Sequence, residues 1–241
     1  MTKMLASISN PEEARCILEA GVDIVDVKDP DKGVLGAVET DVIREIVNIV
    51  GGRSQTSATI GDVPLDSSSI AGGIAALRDT GIDIIKIGIF AGALPGAVLK
   101  VIRRNTRAGI RIVLVFFADF QPLVIDFGAM AAAGIYGVML DTANKNGGSL
   151  RTIMNDESLA DFIRGARNAG LLAGLAGSLR QKDIMPLLAL DPDYLGFRGA
   201  LCNAQQRNRT IDFNAVRSVR ALIPMHRYEG WKGRDASLAL N

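Results

Sequence analysis

An end-to-end alternation of short β-branched runs with amphipathic helical segments predicts a single (βα)8 TIM barrel, an α/β fold, for this 241-residue chain. Three features of the sequence say so. Apolar runs of strand length recur eight times, at 4–8, 22–27, 54–60, 83–89, 111–118, 137–140, 171–176 and 194–197. Four intervening helical segments close on Ala20-Gly21, Thr80-Gly81, Ala133-Gly134 and Ala169-Gly170, with a glycine suited to the left-handed C-terminal cap. The length is also near the roughly 250 residues typical of such barrels. A doubly wound open sheet uses the same alternation, but no G-x-G-x-x-G follows the first strand, and eight units suit closure better.

Each unit has its own local reason. Asn10-Pro11-Glu12-Glu13 opens the first helix with an N-cap, a proline in the first turn and acidic residues at the positive helix end. The phrase "helix, A/T-G, two or three residues, apolar strand" then repeats as a weak βα period. No linker or low-complexity stretch divides the chain, so residues 1–223 are expected to form the barrel and 224–241 a polar C-terminal tail. The glycine-rich stretch 88–96 reads as a loop.

Composition excludes several function classes. Lys+Arg at 27 against Asp+Glu at 26 leaves a net charge of +1, with no basic excess for nucleic acid or an acidic membrane. Two cysteines, Cys16 and Cys202, cannot build a disulfide framework or a four-ligand zinc site, and no metal is expected. Cys202 reads as a small buried apolar residue. The single histidine, His226, falls in the expected tail, so acid–base work passes to Lys, Asp, Glu or Tyr. The N-terminal apolar stretch is too short for a signal-peptide core, and no charge-free run nears the ~18 residues of a membrane span. A soluble cytoplasmic protein follows, and a mean hydropathy of +0.23 points to a homo-oligomer.

In a barrel the site lies at the C-terminal ends of the strands. With a side-chain period of two, Val25 and Val27 of the second strand face the covering helices, while Ile24, Asp26 and Lys28 face the interior. The fourth strand repeats this, with Ile85 and Ile87 outward and Ile84 and Lys86 inward. A buried ammonium without a partner is heavily penalised, so Lys86 needs a carboxylate. The sixth strand ends at Asp141, and Lys145 follows in its loop. Three lysines and two carboxylates thus converge on one mouth. They form either a self-neutralising ion network or a site for carbonyl chemistry, where a crowded, desolvated lysine loses its proton and attacks a carbonyl. Gly177-Ser178 and Arg198-Gly199, after the seventh and eighth strands, suit a phosphate cradle, or are turn glycines beside a solvated arginine. The run Cys202–Arg209, residues 202–209, reads as a polar loop or a second anion clamp.

In order along the chain, Asp26-Val27-Lys28-Asp29-Pro30, Ala58-Thr59-Ile60-Gly61-Asp62-Val63-Pro64, Ile85-Lys86-Ile87-Gly88, Met139-Leu140-Asp141-Thr142-Ala143, Leu175-Ala176-Gly177-Ser178 and Arg198-Gly199-Ala200-Leu201-Cys202 resemble the (5-formylfuran-3-yl)methyl phosphate synthase family of methanofuran and methylofuran biosynthesis. The resemblance runs from the second strand to just past the eighth. It implies a (βα)8 lyase in one-carbon metabolism that condenses two molecules of glyceraldehyde 3-phosphate, losing one phosphate and two waters. It implies Lys28 as the Schiff-base lysine, Lys86 as a proton acceptor, and Asp26, Asp141 and Lys145 as supporting acid–base groups, with no cofactor. The segment 118–133 departs from archaeal members and suits a bacterial one.

Three other readings compete. Asp26-Val27-Lys28-Asp29-Pro30-Asp31 also fits the D-x-K-x-x-D pattern of the orotidine-monophosphate decarboxylase group, which leaves Lys86 and Lys145 unexplained. A Schiff-base aldolase would share a lysine nucleophile and release an aldol. A non-catalytic barrel binding a phosphorylated ligand would have little reason to put three lysines in its mouth.

Overall fold

Eight parallel strands close into a barrel in chain order. They are β1 (Lys3–Ile8), β2 (Ile24–Val27), β3 (Gln55–Thr59), β4 (Ile84–Ile89), β5 (Arg111–Phe117), β6 (Gly137–Asp141), β7 (Leu172–Leu175) and β8 (Tyr194–Phe197). Around them lie α1 (Pro11–Glu19), α2 (Thr40–Val50), α3 (Ser67–Arg78), α4 (Gly96–Arg107), α5 (Phe127–Ala132), α6 (Leu150–Ile153), α7 (Asp156–Asn168), α8 (Gln181–Leu188) and α9 (Phe213–Arg220). The computed structural model describes residues 1–90, 94–120, 123–145 and 147–224. His226 and the tail beyond Pro224 lie outside them, as does part of the 88–96 loop.

The expected strands and observed ones differ by only one or two residues at their ends. The helix signals act as written. Asn10 accepts from the Glu13 N–H at 2.9 Å, with Pro11 in the first turn. Gly21, Gly81, Gly134 and Gly170 all adopt the left-handed conformation, φ +73 to +84°.

A second device recurs at the bottom of the barrel. Asp23, Asp83 and Asp193 each stand just before an even-numbered strand and pin the preceding odd strand through a backbone N–H. The donors are Met4 at 2.7 Å, Thr56 at 2.8 Å and Ala173 at 2.8 Å. Three carboxylates thereby fix the β1–β2, β3–β4 and β7–β8 pairings at the end opposite the site.

The period of two sorts the apolar residues into two layers. Val25, Val27, Ile85, Ile87, Leu114 and Leu140 join the layer between strands and helices. Leu5, Ile24, Ile84, Val113, Met139 and Tyr194 fill the barrel itself. Gly174 makes room there, since a Cβ on it would lie 2.1 Å from the Tyr194 ring. Apolar filling occupies the lower interior, and above it the inward positions turn polar.

Candidate active site

The polar interior has two layers. In the lower one the Lys86 Nζ lies 2.6 Å from Asp26 Oδ1, with side chains 2% and 0% exposed. The hydroxyls of Ser57 and Ser7 donate to the two Asp26 oxygens at 2.6 and 2.9 Å. Both serines are inward residues of neighbouring strands, and sequence reasoning missed them although period two places Ser7 and Ser57 on the same face. Burial alone would raise the Asp26 pKa, but the cations Lys86 and Lys28 overcome it and hold the carboxyl below its ordinary value.

The upper layer is the mouth, a cavity of about 360 Å³ lined by Lys28, Asp141 and Lys145 among others. Lys145 Nζ donates to Asp141 Oδ1 at 2.7 Å, and Lys28 Nζ stands 3.8 Å from Asp141 Oδ2. The Thr142 N–H also donates to Asp141 at 2.7 Å. Burial pushes the Lys28 pKa down to about 8, with Asp141 opposing and Lys86 assisting. Asp141 is the reverse case. Burial would raise it, yet Lys145 and Lys28 bring it to about 2. The loop that carries Lys145 is pinned by Asp119, which accepts the N–H groups of Ala143 and Asn144 at 2.8 and 2.6 Å.

All five expected charged residues are therefore gathered at one end of the barrel, but in layers. Lys28, Asp141 and Lys145 line the mouth. Lys86 does not: it lies against Asp26 and lines a smaller, mostly apolar cavity of about 160 Å³ that reaches the opposite end past Tyr194 and Asp193.

Gly177, Ser178, Arg198 and Gly199 all line the mouth. The backbone N–H groups of Gly177, Ser178, Leu179, Gly199 and Ala200 find no acceptor among the described residues, which leaves a cradle of donors. Gly177 has φ +106°, and a Cβ there would lie 2.7 Å from Thr142 Cγ2. Arg198 departs from the expected phosphate contact. Its guanidinium grips the Glu13 carboxylate at 2.6 and 3.0 Å and donates to the carbonyls of Arg207, Ser7 and Arg209. All five donors are engaged by protein, so Arg198 holds the loop after β8 and has none left for a phosphate. Sequence reasoning missed Glu13 because it read the residue as a helix-end charge. It also missed Arg180, at the mouth with Nη1 donating to the Gln205 carbonyl at 3.0 Å.

No group of three or more His, Cys, Asp or Glu among the described residues is arranged to hold a metal ion. Among the described residues no helix is long and apolar enough to cross a membrane. Cys202 is buried, and burial pushes its thiol up to about 11, against nucleophilic use.

Fold and site together define a (βα)8 barrel with lysines and one carboxylate in its mouth. The family model described as 4-HFC-P synthase matches residues 4–220, and the chain belongs to that family. A protein of Methylorubrum extorquens is 42% identical over 223 residues, 91% of this chain and 92% of that one. The (5-formylfuran-3-yl)methyl phosphate synthases of Methanopyrus kandleri and Methanothermobacter thermautotrophicus are each 34% identical. They align over 90% and 91% of this chain and 94% and 98% of their own. Among solved structures, phosphoribosyl anthranilate isomerase of Thermus thermophilus superposes with a TM-score of 0.63 over 92% of this chain and 98% of that one. A 3-hexulose-6-phosphate synthase gives 0.62 over 92% and 100%. Both are 14% identical and share the fold.

Proposed function

We propose that this protein is a (5-formylfuran-3-yl)methyl phosphate synthase, a carbon–oxygen lyase that condenses two molecules of glyceraldehyde 3-phosphate through a Schiff base on Lys28. One observation carries the reading. Lys28 is a buried lysine with its pKa brought to about 8, opening on the mouth beside Asp141. A lysine near that value supplies both the neutral amine that adds to an aldehyde and the cation that the resulting iminium replaces.

The neutral Lys28 amine adds to the aldehyde carbon of one triose phosphate, and loss of water gives the iminium. Removal of the proton from the adjacent carbon places an electron pair there, and phosphate departs with the bonding pair of its C–O bond. In the second triose phosphate a proton shifts from C2 to C1, which moves the carbonyl to C2; the electron-rich carbon so formed attacks that carbonyl carbon, and the phosphate-bearing CH2 becomes a branch of the ring. Ring closure, dehydration and release of the Lys28 amine leave an aromatic furan bearing one phosphate ester. Overall, two triose phosphates lose one phosphate and two waters. Asp141, fixed by Lys145 and the Thr142 N–H, is positioned to move protons at the Lys28 nitrogen. Asp26 and Lys86 form the proton-accepting layer beneath, with Lys86 acting through Asp26. The cradle of Gly177, Ser178 and Gly199 receives a phosphate, and Arg198 acts by fixing the loop that presents Gly199.

Borohydride trapping with glyceraldehyde 3-phosphate tests this directly. The expected result is a reduced adduct on the peptide bearing Lys28, with the furan-aldehyde ultraviolet band growing before the quench. An adduct without the band would make the protein an aldolase. Folded protein with neither adduct nor band would overturn the Schiff-base reading.

A further inference from the structure

The reaction proposed above brings two phosphate esters to one mouth, and the cradle after β7 and β8 accounts for one. Resting on that reading, we propose that Arg207 is the binding residue for the second phosphate monoester, on the β2 side of the mouth. The side chains lining the mouth include five cations, Lys28, Lys145, Arg180, Arg198 and Arg207, against one carboxylate, Asp141. Glu13 neutralises Arg198, so four cations face one carboxylate. That surplus suits two phosphate monoesters of about −1.5 to −2 each.

Arg207 differs from Arg198 in what its donors do. One Nη2 donation goes to the Gly33 carbonyl at 3.0 Å, and its other guanidinium donors have no acceptor among the described residues. The group is half-buried, and burial draws its pKa below the ordinary value while Asp141 opposes the shift. A guanidinium whose remaining donors turn to the mouth is placed to take an anion through charge-assisted hydrogen bonds.

Its position separates it from the cradle. The Arg207 backbone lies beside Gly199, but its side chain reaches to Gly33 in the loop after β2. That loop is itself fixed, because the Asp62 carboxylate accepts the N–H groups of Val34 and Leu35 at 2.7 and 2.8 Å. Asn208 donates to Asp31 in the same loop, at 2.5 Å. The strap 202–209 therefore crosses the mouth from β8 to β2. It does so through two consecutive non-glycine residues in the left-handed region, Ala204 at φ 51° and Gln205 at φ 55°. Backbone strain of this kind is found at ligand clamps.

Calorimetry with glycerol 3-phosphate, a phosphate monoester that cannot form an imine, tests the assignment. Wild-type protein is expected to bind two per chain and Arg207→Gln one, with Arg207→Lys intermediate and circular dichroism unchanged. Arg207→Gln is also expected to keep the borohydride adduct on Lys28 while furan formation falls about 10- to 100-fold. Two ligands retained by Arg207→Gln, or one bound by the wild type, would overturn the inference and leave the Schiff-base reading standing. No adduct in the wild type, with stoichiometry still falling from two to one, would instead overturn the Schiff-base reading and leave Arg207 an anion site.

Discussion

Lys28 is expected to exchange its proton near pH 8, and raising the pH through that value is the cleanest perturbation of the site. Burial is the main cause of the shift from 10.5 to about 8; Asp141 and Asp26 resist it, while Lys86 and Lys145 add to it. The shift corresponds to roughly 3 kcal/mol against the ammonium form. At a pH of about 7.5, roughly one Lys28 in four is then uncharged, against about one in a thousand for a free lysine. Competitive acetylation with trace acetic anhydride, read by peptide mass mapping against N-acetyl-lysine amide, measures that fraction. A midpoint at or above about 10 would refute the reasoning. The sign of the linked stability is fixed too. Folding lowers this pKa, so the unfolded chain binds more protons between about 8 and 10.5, and stability rises with pH across that window. The penalty is complete below about 8 and fades towards 10.5. Denaturant unfolding should show that slope in the wild type and lose it in Lys28→Met.

Asp26→Asn leaves the Lys86 ammonium, 2% exposed, without its counter-charge, and should cost about 3–5 kcal/mol, or roughly 10 °C in melting temperature. Adding Lys86→Met should restore most of the loss; a double variant melting no higher than Asp26→Asn would show that the pair is not the cause. Glu13→Gln should loosen Arg198 by about 2 kcal/mol and expose the 199–209 loop to protease before the barrel unfolds, and an unchanged cleavage pattern would contradict the latch. Gly177→Ala combines φ +106° with a Cβ 3.0 Å from the Thr142 nitrogen, so substrate KM should rise about tenfold or more, and an unaltered KM would remove Gly177 from the cradle. Asp141→Asn removes the strongest influence raising Lys28, so acetylation should find an even lower pKa while turnover falls. A variant as fast as the wild type would leave Asp141 with no part in proton transfer.

Period two was enough to turn Asp26, Lys28, Lys86 and Asp141 inward, because every strand of a parallel barrel has one face to the interior and one to the helices. Depth was not readable in the same way. Closure staggers the strands, so Asp26 pairs with Ser57 while Lys86 pairs with Thr59, two residues further along β3. The separate cavity behind Lys86 follows from that packing and has no signature in the chain. Arg198 stood beside a glycine after β8, where a phosphate contact is a reasonable reading, but its partner Glu13 lies 185 residues away. Pairings at that distance are created by closure. The carboxylates Asp62 and Asp119 show the same limit: each pins a distant loop by backbone N–H groups, which any residue type supplies.

The order of charges around Lys28 explains why burial lowers its pKa so far. It sits among Asp141, Lys86, Asp26 and Lys145, whose influences alternate in sign and decline in that order. Two carboxylates and two lysines oppose one another around it, and desolvation is the largest influence. Asp26 and Asp141, by contrast, each answer to two cations and remain anionic despite burial. The arrangement keeps an acceptor ionised next to an amine that is partly neutral, with only a 3.8 Å gap between Lys28 and Asp141. Lys86 and Lys145 make the short contacts, 2.6 Å to Asp26 and 2.7 Å to Asp141, while Lys28 stands 3.8 Å from Asp141.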